Sequence, residues 1–284
     1  KQKTAYEIYQ CDWSSDVCSS DLFISTSVSS LKIFPNPSLK PEYGSSLELG
    51  VKQGFKIGGF KGFFDVAGFY TEYRDMIEFV FGYYFPSSIG TPTFSDYFNY
   101  AGFQSKNIEQ AKISGIDLSV TGKGKIGKVD MTIFGGYTFS NAINPKYQAA
   151  ADTISPGTDS LSNRLKYRTR HLFKNDIQLD WKGFSFGWSI RYTSRMDNID
   201  KRFEETLLYD FMPGLKVYIL PGLKNFRAHE PKGIWVNDLR FSYDVSKYLK
   251  CAIIVNNAFN KEYAARPGLL MSPRTFALQL SVKL

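Results

Sequence analysis

The feature that most constrains the fold of this chain is a strict alternation of apolar and polar side chains. It is clearest in the last run of the sequence, TFALQLSVKL at residues 275–284. Phe276, Leu278, Leu280, Val282 and Leu284 share one parity, and the residues between them are small or polar. Because successive side chains of a β-strand point to opposite faces, this period of two predicts a strand with one apolar and one polar face.

The same alternation recurs along the chain, and the pattern predicts about nine strands. Clear examples are residues 128–140, 167–181, 184–193 and 233–245. Strands of ten or more residues match the roughly 9–11 residues of a tilted membrane crossing and exceed the roughly 5–6 residues of an average globular strand. One parity is aliphatic and aromatic, as lipid contact requires, whereas the other carries charged and small polar residues, as a water-filled lumen permits.

The connections between these strands alternate between short and long. The short ones are expected at 55–59, 123–127, 182–183 and 246–247, and the long ones at 81–100, 141–165, 195–231 and 261–272. In an antiparallel meander, alternate connections lie at opposite ends, so all short turns share one end, as in outer-membrane barrels. The sequence therefore predicts an all-β fold, an antiparallel up-and-down meander that forms a partial, open transmembrane β-barrel of about nine strands. A soluble sandwich of two packed sheets is the alternative.

Composition excludes some functions without deciding the fold. The chain has 284 residues and a net charge of +8, and its densest basic segment is RLKYRTR at 164–170. No recognition helix, zinc knuckle or stacking signature accompanies that segment, so no nucleic-acid partner is predicted. The three cysteines, Cys11, Cys18 and Cys251, form no framework of disulfide spacings. No apolar run approaches the roughly 18 residues that a membrane helix needs.

The first 22 residues are expected to be foreign to the fold. Residues 12–22 read DWSSDVCSSDL, which resembles one frame of a translated sequencing adapter. We therefore treat residues 1–22 as a probable non-native artefact and residues 23–284 as the folded part. The alternative is a genuine acidic loop.

Four segments resemble a known family, in the same order along the chain. They are NPSLKPEYGSSLELGVK at 36–52, ISGIDLSVTGK at 113–123, LKYRTRHLFKNDIQLDW at 165–181 and VNNAFNKEYAARPGLLMSPRTFALQLSVKL at 255–284. Each is similar to a motif in the barrels of TonB-dependent outer-membrane receptors. The departures are Asp117 for Glu, Thr169 for Pro, Ala258 for Leu, and a final Leu284 where the family usually ends in an aromatic residue. That last departure indicates an altered assembly signal or an incomplete C-terminus.

This resemblance implies a location and a function. Family members have about 22 strands around a plug domain, so the chain would be the C-terminal portion of such a barrel in the bacterial outer membrane. It implies active uptake of a scarce nutrient such as an iron chelate, a corrinoid or a glycan. The implied partners are outer-membrane lipid, the TonB energy-coupling complex acting through a missing N-terminal region, and the small-molecule or glycan ligand. Its last strand would serve barrel assembly. A passive porin or a soluble carbohydrate-binding β protein is the alternative.

An aromatic stretch at 81–100 is the best candidate for ligand contact. Its candidate residues are Tyr83, Tyr84, Phe85, Phe94, Tyr97, Phe98 and Tyr100. So many aromatic side chains are costly to expose without a purpose. An interfacial aromatic girdle is the alternative interpretation.

No catalytic site, metal site or cofactor is predicted from the sequence. GKGKIGKV at 122–129 approaches a phosphate-binding loop, but Val129 replaces the required Ser or Thr and the context is a hairpin. His171 and His229 are too scattered for a metal site. Four carboxylates within one long loop suit either an exposed acidic loop or, less well, calcium binding: Asp197, Asp200, Glu204 and Glu205. The chain is therefore not expected to be an enzyme.

Overall fold

The computed structural model describes residues 24–25, 30–147, 163–206 and 218–282. The strands are β1 (Ile24–Ser25), β2 (Ser30–Phe34), β3 (Tyr43–Ile57), β4 (Phe60–Tyr83), β5 (Ala101–Ile126), β6 (Val129–Ile143), β7 (His171–Trp181), β8 (Phe184–Thr193), β9 (Ile234–Asp244), β10 (Leu249–Asn256), β11 (Ala264–Arg266), β12 (Leu269–Leu270) and β13 (Thr275–Val282). The α-helices are α1 (Phe94–Asn99) and α2 (Leu223–His229). The adapter-like segment at 12–22 and Leu284 lie outside the described residues.

Nine strands form one antiparallel meander, in which each strand pairs with its neighbour along the chain. The order is β3, β4, β5, β6, β7, β8, β9, β10 and β13. The small β11–β12 hairpin forms a separate sheet within the last connection. The predicted open, all-β meander of about nine strands is confirmed.

The two faces of the sheet differ as the alternation predicts. One row of side chains crosses seven strands through Val51, Val66, Leu118, Tyr137, Phe173, Tyr192 and Trp235. We call the side of this row the apolar face and the other the polar face. Leu49 is 80% exposed and Phe276 is 71% exposed on the apolar face. Within the described part of the chain no second sheet covers it, so the alternative of a soluble sandwich is wrong.

The polar face is held by ion pairs between neighbouring strands. Asp176 on β7 accepts from Arg240 at 2.7 Å and from Ser189, while Arg191 on β8 pairs with Asp238 on β9 at 3.1 Å. These charges lie on an open, wet surface, so each pair contributes little to stability but fixes the direction of the side chains.

The short turns gather at one end of the sheet, as expected, although some boundaries differ. Lys182 and Gly183 have φ angles of 47° and 84°, which is the conformation of a two-residue hairpin turn. The turn expected at 123–127 is shorter, because β5 continues to Ile126 and reverses at Gly127 and Lys128.

The long-loop end contains more regular structure than the sequence indicated. β4 and β5 pair as far as Tyr83 and Ala101, so the loop expected at 81–100 begins at residue 84 and contains α1. Because β6 ends opposite Lys112, the outer part of β5 would leave backbone groups unpaired. β2 pairs in parallel with residues 102–104 there, which supplies partners for part of that outer stretch. None of the helices that the structure describes has the length and apolar character needed to cross a membrane.

Candidate functional site

The long connections pack together at one end of the sheet and form its main buried core. Six buried residues from β4, β5 and the β8–β9 connection meet there: Phe81, Ala101, Phe103, Ile199, Phe203 and Ile219. The rings of Phe103 and Phe203 are in contact, with centroids 5.8 Å apart and planes tilted by 36°. This contact joins the outer ends of β4 and β5 to a connection more than 90 residues later in the chain.

The β6–β7 and β8–β9 connections are joined by several hydrogen bonds and an ion pair. Arg164 pairs with Asp197 at 3.4 Å, and the Asn198 side-chain amide donates to the Arg164 carbonyl at 2.7 Å. The Tyr167 backbone N–H donates to the Asn198 carbonyl at 2.8 Å. The segments 163–170 and 196–206 therefore form one body over the sheet. We call these two segments together the loop clamp.

Asp200 is the buried centre of the loop clamp. Its side chain is 0% exposed, and it accepts from the Lys166 ammonium at 2.7 Å and from the Tyr167 hydroxyl. Burial and the neighbouring Asp200 carboxylate raise the pKa of Tyr167, so its hydroxyl stays a donor at physiological pH. Tyr167 has a φ of 58°, a strained conformation that these bonds must maintain.

The loop clamp corrects the expectation of an exposed acidic loop at 197–205. Each of the four carboxylates has a basic partner: Asp197 with Arg164, Asp200 with Lys166, Glu204 with Arg227, and Glu205 with Lys201. The basic segment 164–170 and the acidic loop thus neutralise each other in part. The described residues contain no cluster of three or more metal-ligating side chains.

Two cavities lie beside the loop clamp. The first, the sheet cavity, has a volume of about 480 Å³ and is lined by Lys174, Arg191 and Val236 of β7–β9 and by the loops above them. The second, the loop cavity, has a volume of about 430 Å³ between Glu78 of β4 and Arg168. Tyr167, Arg266 and Pro267 line both cavities, so they form the partition between them.

The sheet cavity is strongly basic. Five basic residues line it, with one acidic residue: Lys174, Arg191, Arg195, Arg227 and Arg266, and Glu230. Arg191, Arg227 and Glu230 are satisfied by Asp238, Glu204 and Lys261 respectively. Lys174 and Arg195 form no ion pair with any residue that the structure describes. Lys174 lies directly opposite Arg191 across β7 and β8. Because Asp238 balances Arg191, the positive charges of Lys174 and Arg195 are the ones left to attract an anion.

The seven aromatic candidates lie apart from both cavities. Tyr83, Phe85, Tyr97 and Tyr100 form one ring cluster, with centroids 5.1 Å apart for Tyr83–Tyr97 and 5.9 Å for Phe85–Tyr100. Tyr83, Tyr97 and Phe98 also pack against the main buried core around Phe103 and Phe203, which gives them a structural role. Ligand contact by these residues stays a prediction.

Tyr84 and Phe94, the other aromatic candidates, lie outside this ring cluster. The Tyr84 hydroxyl donates to the Val80 carbonyl at 2.6 Å, and burial raises its pKa. Phe94 is 50% exposed beside Phe98. The α1 helix that carries Phe94, Tyr97 and Phe98 begins with a capping box, in which both the hydroxyl and the N–H of Thr93 donate to Asp96. These bonds lower the pKa of Asp96.

The C-terminal strand carries its predicted residues on an open surface. Phe276, Leu278, Leu280 and Val282 are each more than 60% exposed on β13, which pairs only with β10 within the described part of the chain. A role of this strand in barrel assembly stays a prediction.

Comparison with known proteins decides the family. Residues 18–258 match the model of the TonB-dependent receptor-like β-barrel. The chain belongs to the TonB-dependent receptor family. Members of this family are bacterial outer-membrane proteins. The apolar face of this TonB-dependent receptor chain therefore faces lipid, the short turns are periplasmic, and the loop clamp and both cavities lie at the extracellular end.

Solved receptor structures share the fold. The ferric-catecholate import receptor Fiu from E. coli K12 is 20% identical, with a TM-score of 0.55 over 87% of this chain and 28% of that one. The pyoverdine receptor FpvA from Pseudomonas aeruginosa PAO1 is 15% identical, with a TM-score of 0.52 over 87% of this chain and 30% of that one. The copper transporter OprC is 14% identical, with a TM-score of 0.51 over 87% and 33%. The chain thus spans a third or less of the length of these structures. No curated protein matches its sequence.

Proposed function

We propose that residues 23–284 are the C-terminal portion of an outer-membrane active transporter that imports an anionic iron chelate. Among the residues that the structure describes, β3 pairs only with β4 and β13 only with β10, and these free edges support the partial-barrel assignment. Unpaired backbone groups cost several kcal/mol each in hydrocarbon, so further strands of the receptor must cover both edges. The N-terminal region of the receptor would supply the plug and the contact with the TonB complex.

The observation that carries the proposed ligand is the charge of the sheet cavity. Lys174 and Arg195 line the cavity without an ion pair to any described residue, whereas Arg191, opposite Lys174, is balanced by Asp238. A ferric catecholate is large, aromatic and anionic, which suits a basic cavity bordered by Tyr167 and Tyr263. Neutral corrinoids and glycans would leave the positive charges of Lys174 and Arg195 without a partner. Fiu is a ferric-catecholate import receptor and FpvA is a pyoverdine outer-membrane receptor, and both descriptions agree with this choice.

The test is ligand binding by the complete receptor, measured as quenching of its tryptophan fluorescence. The ligands are a ferric catecholate, a neutral corrinoid and a neutral oligosaccharide. A charge-assisted hydrogen bond contributes about 1.5–3 kcal/mol, so Lys174→Gln and Arg195→Gln should each weaken catecholate binding about 10- to 100-fold.

Lys52→Gln is the matched control. Lys52 lies on the same polar face, opposite Asp65 and away from the cavity, so the change removes the same charge without touching the site. Binding should then stay within about twofold. Tight binding of a neutral ligand, or equal losses from Lys52→Gln and Lys174→Gln, would contradict the proposal.

A further inference from the structure

The loop cavity differs from the sheet cavity because most of its wall is apolar. Met76, Phe103 and Phe203 line it and are only 7%, 8% and 5% exposed. The other apolar lining residues are Ile33, Ile77, Phe79 and Pro267. Its volume of about 430 Å³ falls within the range of small-molecule sites, roughly 300–1,000 Å³. Since apolar side chains come both from the strands and from the loops, the cavity suits a ligand with more than one apolar group.

Glu78 is the acidic residue of this lining. It lies on the outer part of β4, opposite Lys106 and beyond the end of β6, so it is outside the lipid layer. Its carboxylate forms no hydrogen bond or ion pair with any residue that the structure describes. Burial raises the pKa of Glu78 and the Asp200 carboxylate adds to the rise, whereas Lys166 and Arg168 oppose it. The negative charge of Glu78 is therefore only partly compensated within the protein.

The lysines closest to Glu78 in the fold are engaged elsewhere. Lys166 lines the same cavity, but its ammonium donates to Asp200 at 2.7 Å. Lys106, directly opposite Glu78 on β5, places its ammonium 5.4 Å from the centre of the Tyr84 ring. Both cations thus have other partners, and the Glu78 carboxylate is left for a cationic group from outside the chain.

Arg168 supplies the complementary charge on the same cavity. It is exposed, whereas Glu78 is partly buried, and the two are too far apart to form an ion pair with each other. No other described carboxylate forms an ion pair with Arg168 either. Its planar guanidinium has the geometry to bind both oxygens of a carboxylate. The cavity therefore offers a carboxylate at its more buried part and a guanidinium at its more exposed part.

We propose that the loop cavity binds a short zwitterionic peptide with apolar side chains, whose ammonium group bonds Glu78 and whose carboxylate bonds Arg168. One such ligand compensates both charges, whereas a simple anion or cation compensates only one. Tyr167, Arg266 and Pro267 separate this site from the sheet cavity. Peptide binding therefore does not depend on which chelate the sheet cavity takes.

The experiment is isothermal titration calorimetry of the complete receptor with three probes. They are the dipeptide leucyl-phenylalanine, its N-acetylated form, which lacks the ammonium, and its C-terminal amide, which lacks the carboxylate. A charge-assisted hydrogen bond is strong enough that each capped form should bind about 10- to 100-fold more weakly than the free dipeptide.

Two variants assign the two ends of the peptide. In Glu78→Gln the free dipeptide should lose its advantage over the acetylated form but keep its advantage over the amide. In Arg168→Gln the reverse should hold. Glu48→Gln is the matched control, because Glu48 is exposed on β3 and lies outside the cavity lining. It should leave all three affinities within about twofold of the wild type.

The outcomes that would overturn the proposal are distinct from a failure of chelate import. Equal binding of the free and capped peptides by the wild type would overturn it, and this comparison needs no variant to fold. So would the same loss in Glu48→Gln as in Glu78→Gln, or displacement of the dipeptide by a ferric catecholate bound in the sheet cavity. Catecholate binding itself should be unchanged in Glu78→Gln, whichever chelate the receptor imports.

Discussion

Replacing Asp200 by Asn should open the loop clamp. The carboxylate is fully buried, and the Lys166 side chain that it neutralises is only 12% exposed. Removing one partner of a buried ion pair costs about 3–5 kcal/mol, because the remaining charge stays buried without compensation. Since Lys166 keeps slight contact with water, we take the lower value, about 3 kcal/mol.

Hydrogen exchange of the Tyr167 backbone N–H measures this opening, because that group bonds the Asn198 carbonyl across the loop clamp. A loss of about 3 kcal/mol raises exchange from the opened state by on the order of a hundredfold. Peptides covering residues 164–170 of the complete receptor should therefore exchange that much faster in Asp200→Asn than in the wild type.

Asp197→Asn is the matched control within the same loop. Asp197 also pairs with the basic segment, but at 3.4 Å and with side-chain exposures of 29% for Arg164 and 41% for Asp197. An exposed pair of this kind contributes about 0–1 kcal/mol, so exchange should rise at most about fivefold. Exchange within twofold of the wild type in Asp200→Asn, or equal acceleration in both variants, would refute the reasoning from burial.

Two further changes test other parts of the structure. The pKa of Asp96 is lowered by the hydrogen bonds from Thr93, so its contribution to α1 is present above the ordinary carboxyl pKa of 3.8 and is lost as the pH falls through the lowered value. The protection factors of the α1 amides, which compare their exchange rates with those of an unstructured chain at the same pH, should fall in that acid range, and in Thr93→Ala they should already be low at pH 7; wild-type protection factors that stay constant through that range would contradict this. A Cβ on Gly115 would lie 2.1 Å from the Phe139 carbonyl, so Gly115→Ala should lower the urea midpoint of unfolding by a shift equivalent to about 1–3 kcal/mol. Gly68→Ala, whose nearest atom would be 4.0 Å away, is its control, and equal shifts would show that the close approach is irrelevant.

The alternation of apolar and polar side chains was enough to predict most of the strands, their order and the two faces of the sheet. The Lys182-Gly183 turn fixes the register of β7 and β8, and with it the opposition of Lys174 and Arg191 that makes the sheet cavity basic. That opposition could have been derived from the sequence by counting outward from the turn. Arg195 and Arg266 could not, because they reach the cavity through irregular loops whose paths depend on tertiary packing.

The loop clamp could not be predicted from the sequence either, because it too is built from irregular loops whose paths depend on tertiary packing. The sequence alone indicates a basic patch at 164–170 and a separate acidic loop at 197–205, whereas in the structure the two segments partly neutralise each other. Their meeting depends on how two long connections pack over β4 and β5. The sequence likewise predicts a loop for the start of the aromatic stretch, because Phe81 to Tyr83 continue β4 without the polar alternation of its earlier residues.

The central claim is that alternate residues of each strand face lipid and water. Single cysteines carrying a nitroxide along β8, at Ser185, Phe186, Trp188, Ser189 and Ile190, test it most directly in receptor that lacks its native cysteines and is reconstituted in a bilayer. Collisions with oxygen should dominate at the three apolar positions, and collisions with a water-soluble nickel complex at the two serines. Equal accessibility at both parities, or the reverse pattern, would contradict a lipid-facing apolar face.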